Sequence, residues 1–132
     1  MMALRTIALA LIAAVLVACS SVPAMPETTY FRLPPPQPAI KLPEPLTTHP
    51  IVVETFRTDG LYSGQALVYA LDADARRLRT YHYQLWIDPP PRLLQRRLIA
   101  SLRAAGVSRV VTDQLPTRME TVRVVGRIER LE

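Results

Sequence analysis

Between Pro34 and Pro50 the chain carries seven prolines in seventeen residues: Pro34, Pro35, Pro36, Pro38, Pro43, Pro45 and Pro50. Each removes an amide donor and fixes φ, so neither a helix nor a central strand can run through the segment. What remains is extended, polyproline-like chain with a reach of at most ~50 Å at ~3.1 Å per residue. Any fold must join the residues before Pro34 to those after Pro50 across this stretch. Three roles are open to it: a spacer between a membrane and a domain, a long surface connection whose upstream strand is already docked, or a proline-rich ligand for a partner's groove.

The N-terminus argues for a membrane. Residues 1–19 read MMALRTIALALIAAVLVAC, with Arg5 as a short positive region and an uninterrupted apolar run from Ile7 to Val17. Eleven apolar residues are too few for a bilayer-spanning helix, which needs about 20, but they suit a secretory leader. The run ends in Leu16-Val17-Ala18-Cys19, which resembles a bacterial lipobox, and Cys19 is the only cysteine of the chain. The thiol is required because the diacylglyceryl group is transferred to sulfur as a thioether; cleavage before it then frees an amine for a third acyl chain. Each buried methylene contributes about 0.8 kcal/mol, so two or three chains hold a protein on a membrane. Residues 1–18 are expected to be the leader, 19–27 a lipidated tether and 28–132 the domain. Ser20, rather than Asp, follows the cysteine, and by resemblance to sorted bacterial lipoproteins this favours the inner leaflet of the outer membrane. The protein is expected to be anchored, not spanning.

Composition closes off other classes. A single cysteine excludes an internal disulfide framework and zinc sites of two or four cysteines, and His49 and His82 are too few for a three-histidine metal centre. A chain of 132 residues fits one domain and excludes a barrel of ~250 residues. The net charge is +5, with fifteen arginines against one lysine, Lys41. That permits contact with acidic head groups or nucleic acid without requiring it; an exported lipoprotein has no nucleic acid to meet.

Along the domain, Thr28–Leu33 reads as a short strand, and Ile51–Phe56 as a second. Turns at Asp59-Gly60 and Ser63-Gly64 flank Leu61-Tyr62. Ala66–Leu71 is wholly apolar and is expected to be buried on both faces. The polar link from Asp72 to Arg77 makes it a hairpin with Leu78–Ile87, whose Tyr81, Tyr83, Leu85 and Ile87 form the expected core face. Thr80, His82, Gln84 and Trp86 line the other. Asp88-Pro89-Pro90-Pro91 predicts a helix start with Asp88 as the cap, and Gly106 predicts its end. Leu94, Leu98, Leu102 and Ala105 form the expected apolar stripe, with Arg92, Arg96, Arg97 and Arg103 away from it. Val107–Thr112 reads as a strand and Asp113–Pro116 as a turn. Thr121–Leu131 alternates and reads as one half-buried strand, with Val125 as the exception. The order β, β, β, β, α, β, β predicts an α+β domain: an antiparallel or mixed sheet with a helix packed on one face.

Three features occur here in order: a lipobox, the strand Tyr30-Phe31-Arg32-Leu33, and the run Tyr81-His82-Tyr83-Gln84-Leu85-Trp86-Ile87-Asp88-Pro89-Pro90-Pro91 leading into a Leu-x₃-Leu-x₃-Leu helix. Together they resemble the ABC-type transport auxiliary lipoproteins, including the paraquat-inducible protein C group, over roughly residues 16–112. Tyr30, Leu33, Trp86, Asp88 and Pro89 carry the likeness as structural residues. The resemblance implies an outer-membrane lipoprotein facing the periplasm and working with an inner-membrane ABC transporter and a bridging protein of the MCE (mammalian cell entry) class. It also implies contact with outer-membrane lipids and, for several members, ring-forming homo-oligomers. It makes Tyr30–Leu33 the first strand, and so favours the surface-connection reading of residues 34–50. The family domain continues past the equivalent of Leu131 with further strands and a last helix, so by resemblance the chain is expected to be C-terminally truncated.

No catalytic constellation is evident. His82 lacks a carboxylate or serine partner at a useful spacing, and reads as a packed or surface strand residue. Glu54 and Asp88 could be imagined as an acid pair, but each has a simpler role, Glu54 as a solvated strand residue and Asp88 as a cap. Arg92, Arg96 and Arg103 could bind head groups or an acidic partner through their guanidinium forks, or could form a solvated helix face. Trp86 reads as a core plug in preference to a lipid contact. No enzyme, metal or cofactor beyond the lipid on Cys19 is expected. Two functions remain: an accessory that docks an MCE bridge for lipid transport, or a structural lipoprotein that assists assembly of an outer-membrane β-barrel or lipopolysaccharide machine.

Overall fold

The computed structural model describes residues 24–36, 40–114 and 119–131; the expected leader, Cys19 and the second half of the turn expected at Asp113–Pro116 lie outside them. The protein is α+β, with one helix packed against small mixed and parallel sheets. Its strands are β1 (Thr29–Phe31), β2 (Ile51–Val53), β3 (Arg57–Thr58), β4 (Ala66–Ala70), β5 (Leu78–Trp86), β6 (Val111–Thr112), β7 (Val122–Val124) and β8 (Arg127–Ile128). A short 3-10 helix (Gly60–Tyr62) precedes β4, and helix α1 (Pro90–Ala105) follows β5.

Among the described residues three sheets form, ordered β1-β5-β4, β6-β2-β7 and β3-β8. Only β4 and β5, joined by the short link at Asp72–Arg77, pair antiparallel; every other pairing is parallel. The second and third sheets follow one another along the same two chain segments. Val53 pairs with Val124 and Arg57 with Arg127, so one segment takes four steps where the other takes three. That extra residue bulges the path, and at the break the Phe56 ring packs on Gly126, where an added Cβ would lie 2.9 Å from it. The single strand expected over Thr121–Leu131 is therefore two, interrupted at Val125-Gly126, as a glycine inside a strand pattern often signals.

The core sits between α1 and the parallel sheet. Ile51, Val53, Ile99 and Val111 are buried, with Phe56, Leu98, Leu102, Val107 and Val124 packed against them. Val53, at 0% exposure, is the most enclosed. The buried face of α1 is centred on Pro91, Gln95 and Ile99, shared with Leu98 and Leu102. The expected stripe through Leu94 is thus rotated by about one position, because Ile99 rather than Leu94 meets β2 and β6.

The helix begins at Pro90 and ends at Gly106, whose φ of 71° is the left-handed conformation glycine tolerates. Asp88 does not cap it. The cap position belongs to Pro89, whose carbonyl accepts from the amides of Arg92 and Leu93 at 3.0 and 3.2 Å. Pro90 and Pro91 have no amide to offer, so two of the usual orphan donors are missing, and Asp88 turns instead to Arg96 at 2.5 Å. Residues 40–50 run past the other end of α1, where Leu42 donates to the Ala105 carbonyl at 2.9 Å and Leu46 to Val107 at 3.0 Å.

The mixed sheet differs from its sequence pattern. β4 is half-exposed rather than buried on both faces, and Tyr81, Tyr83 and Ile87 are exposed rather than forming a core face. Among the described residues, α1 packs on the other sheet, and the short 3-10 helix approaches β4.

Candidate functional site

Alternate residues of a strand address the same neighbour. The Ile51 amide donates to Val110 at 2.8 Å and the Glu54 amide to Val124 at 3.0 Å, so the Val53 carbonyl points to the β6 side. β6 ends at Thr112, and that carbonyl would be left bare. Gln95 of α1 fills the place: its Nε2 donates to Val53 at 2.8 Å, and its Oε1 accepts from the Thr55 hydroxyl at 3.3 Å. A buried amide is satisfied this way at little net cost, whereas an orphaned carbonyl costs about 1–3 kcal/mol.

Around Gln95 lies a polar groove of about 530 Å³, lined by Glu54, Thr55, Asp88, Arg92, Arg96, Asp113 and Gln114. It sits where β2 and β6 end and α1 begins, the place at which parallel strands present their carboxyl ends to ligands. Its charges are largely matched: Asp88 to Arg96, and Glu54 to Arg123. Glu54 and Asp88 thus do meet in one groove, but each is held by its own guanidinium. Among the described residues, no group of three His, Cys, Asp or Glu could hold a metal ion.

The helix arginines divide by role. Arg103 donates from Nε to the Val111 carbonyl at 2.7 Å, tying α1 to β6. Arg97 donates to the Pro34 carbonyl and so fixes the start of the proline-rich segment. Arg96 serves Asp88. Arg92 is exposed at the groove, and its side chain has no hydrogen bond or ion pair with a described residue. They do not form one open cationic face.

Trp86 is not a core plug. It is half-buried and lines an open cleft of about 620 Å³ with Leu67, Val68, Arg130 and Leu131, apart from the main core. Its amide donates to Gln65 at 2.6 Å, and the Ile87 amide donates to Phe31 at 2.9 Å, which pins β1 to the end of β5. Tyr30 is exposed opposite Leu85, Leu33 is half-buried beyond β1, and Pro89 is the helix cap residue. His82 is a surface residue whose ring meets Tyr83 edge-on at 6.5 Å. Gln95, Asp113 and Gln114 were not foreseen from the sequence. Gln95 carries no local signal, since its partners lie about forty residues away.

At the far hairpin, the Arg77 side chain and then the Arg76 amide hold the Asp72 carboxyl below the usual range. Among the described residues, no helix is long and apolar enough to cross a membrane.

No family model and no curated protein matches the sequence. Solved structures do share the fold. Protein XCC0632 from Xanthomonas campestris, of the family DUF330, aligns with a TM-score of 0.54 and 14% identity over 64% of this chain and 47% of that one. A second crystal structure, of an uncharacterized protein, aligns with a TM-score of 0.53 and 22% identity over 77% of this chain and 62% of that one. The chain therefore spans about half to three fifths of the length of these proteins. Its α+β architecture is one it shares with a structure from DUF330, a family of uncharacterised bacterial proteins.

Proposed function

We propose that the protein is an outer-membrane lipoprotein accessory of an ABC and MCE type lipid transport system, docking the periplasmic bridge rather than catalysing a reaction. The observation that carries this reading is the combination, in one chain, of a lipobox holding its only cysteine with an α+β fold like that of a DUF330 structure. The Trp86 to Pro90 junction and the helix after it supply the resemblance to transport auxiliary lipoproteins. The anchor is the lipid on Cys19, the location the periplasmic face of the outer membrane, and the partners an MCE-domain protein, its ABC transporter and outer-membrane lipids. No cofactor is required.

Within this reading Arg92 is the groove residue available to a partner, because Arg96, Arg97 and Arg103 are engaged within the fold. The test is recovery of crosslinked partners with the full-length lipoprotein from envelopes in mild detergent. Recovery of an MCE-domain protein, lost in Arg92→Glu, supports docking at the groove. Recovery of only a β-barrel or lipopolysaccharide assembly protein moves the function to envelope assembly.

A further inference from the structure

β5 carries an irregularity that its sequence pattern hides. Ala66 of β4 pairs with Leu85 and Val68 with Thr80, so two steps on β4 face five on β5. Tyr81, His82, Tyr83 and Gln84 crowd opposite Leu67, and all four are exposed. On the other side of β5, β1 pairs only with Gln84, Leu85 and Trp86. Among the described residues, Tyr81, His82 and Tyr83 therefore have no strand partner on either side, and the bulge turns them outward. Tyr81 and Tyr83 are 39% and 40% exposed, and the Tyr81 ring leans on Tyr69 at 4.3 Å between centroids.

The bulge shares a groove of about 430 Å³ with Pro26, Glu27 and Thr29, the residues through which the chain enters β1. Residues 26–28 lie outside β1, and Pro26, which would fall opposite Tyr81 in the same register, has no amide to offer. Six residues lie between Cys19 and Pro26, so the seven Cα steps reach at most ~25 Å whatever their conformation. A lipid on Cys19 would thus hold this patch close to the bilayer surface. The chemistry suits that place. Tyrosine settles at membrane interfaces, its ring in the apolar boundary and its hydroxyl among head groups. Arg79 lines the same groove with no carboxylate partner among the described residues, and its fork suits a phosphate. Met25, 83% exposed, lies beside the groove in sequence.

We propose that the Tyr81–Gln84 bulge is a membrane-interface contact: the domain rests this patch on the head-group layer of the bilayer that holds its acyl chains, with Tyr81 and Tyr83 at the boundary and Arg79 on a phosphate. The inference rests on the reading of Cys19 as lipidated.

The test uses full-length lipoprotein in vesicles of phosphatidylethanolamine and phosphatidylglycerol. With Cys19 acylated, Tyr83→Cys offers one free thiol for an environment-sensitive fluorophore; His82→Cys is a second site in the bulge, and Val125→Cys, on the β7–β8 segment, is the control. The expected result is a blue-shifted emission at 83 and 82 on reconstitution, with quenching by head-group nitroxide lipids several-fold above that at 125. Equal, weak quenching at all three sites, with Cys19 acylated by mass, overturns the contact and leaves the anchor standing. A mass without acyl chains removes the anchor itself. A blue shift present before lipid is added overturns the proposal as well: with a doubled crosslinked mass it assigns the patch to a second copy, and without one to another protein segment.

Discussion

Two three-stranded sheets meet opposite fates in this molecule. The β6-β2-β7 sheet contributes only eight residues, yet α1 lies across it and encloses Ile51, Val53 and Val111. The β1-β5-β4 sheet is longer and richer in aromatics, yet Tyr30, Phe31, Tyr81 and Tyr83 remain exposed. Hydrophobic side chains alone do not make a core; a second layer must take up the face they present. The contrast locates stability beneath the helix and leaves the tyrosine sheet free to meet something else.

Several substitutions would break or sharpen this contrast. Ile99→Ala empties the space between α1 and the parallel sheet and is expected to cost about 2–5 kcal/mol in denaturant unfolding. A loss below about 1 kcal/mol would mean the core lies elsewhere. Gln95→Leu keeps the volume but orphans the Val53 carbonyl, and should cost about 1–3 kcal/mol by the same measurement. Gly106→Ala forces a Cβ into the left-handed cap and should cost roughly 1–2 kcal/mol, with the exchange of the Gly106 and Val107 amides accelerating first. On the open sheet the scale falls. Tyr81→Ala loses its contact with Tyr69 and should cost about 0.5–1.5 kcal/mol. Tyr83→Ser should stay within about 0.5 kcal/mol.

The smallest effect concerns acid. Because Arg77 and the Arg76 amide lower the Asp72 pKa in the fold, the unfolded chain takes up this proton first as pH falls. The contribution is therefore whole above the ordinary aspartate range and disappears as pH drops through the folded value. Asp72→Asn should flatten that acid limb in the hairpin's amide exchange while leaving the α1 amides unchanged.

What the sequence made legible was local. Pro90, Pro91 and Gly106 mark both ends of α1, and the proline run from 34 to 50 rules out regular structure by missing amides alone. The hairpin followed from a short polar link between two apolar runs. Apart from Asp88, the failures are non-local. Asp88 looks like a cap until one counts the amides that two prolines remove. Tyr81 and Tyr83 alternate like a buried face, but alternation marks a face without saying what covers it, and a bulge set by pairing with β4 leaves no trace in β5 itself. Gln95 is a polar residue on a buried helix face because β6 ends early and leaves bare a carbonyl some forty positions upstream of Gln95. The groove around it is assembled from three separate chain segments, so no spacing could show it.

Parallel pairing also sets an order of events. Ile51 cannot complete its rungs until Val111 and Val122 have arrived, and Arg57 waits for Arg127, so the enclosed sheet is closed by segments far downstream of its central strand. Contacts so distant along the sequence slow folding, because loop entropy is spent before any rung rewards it. A polypeptide of this topology stays loose while it emerges N-terminus first. Only the β4–β5 hairpin and α1 can form from neighbouring residues, and they stand ready as the template on which the late-arriving strands close.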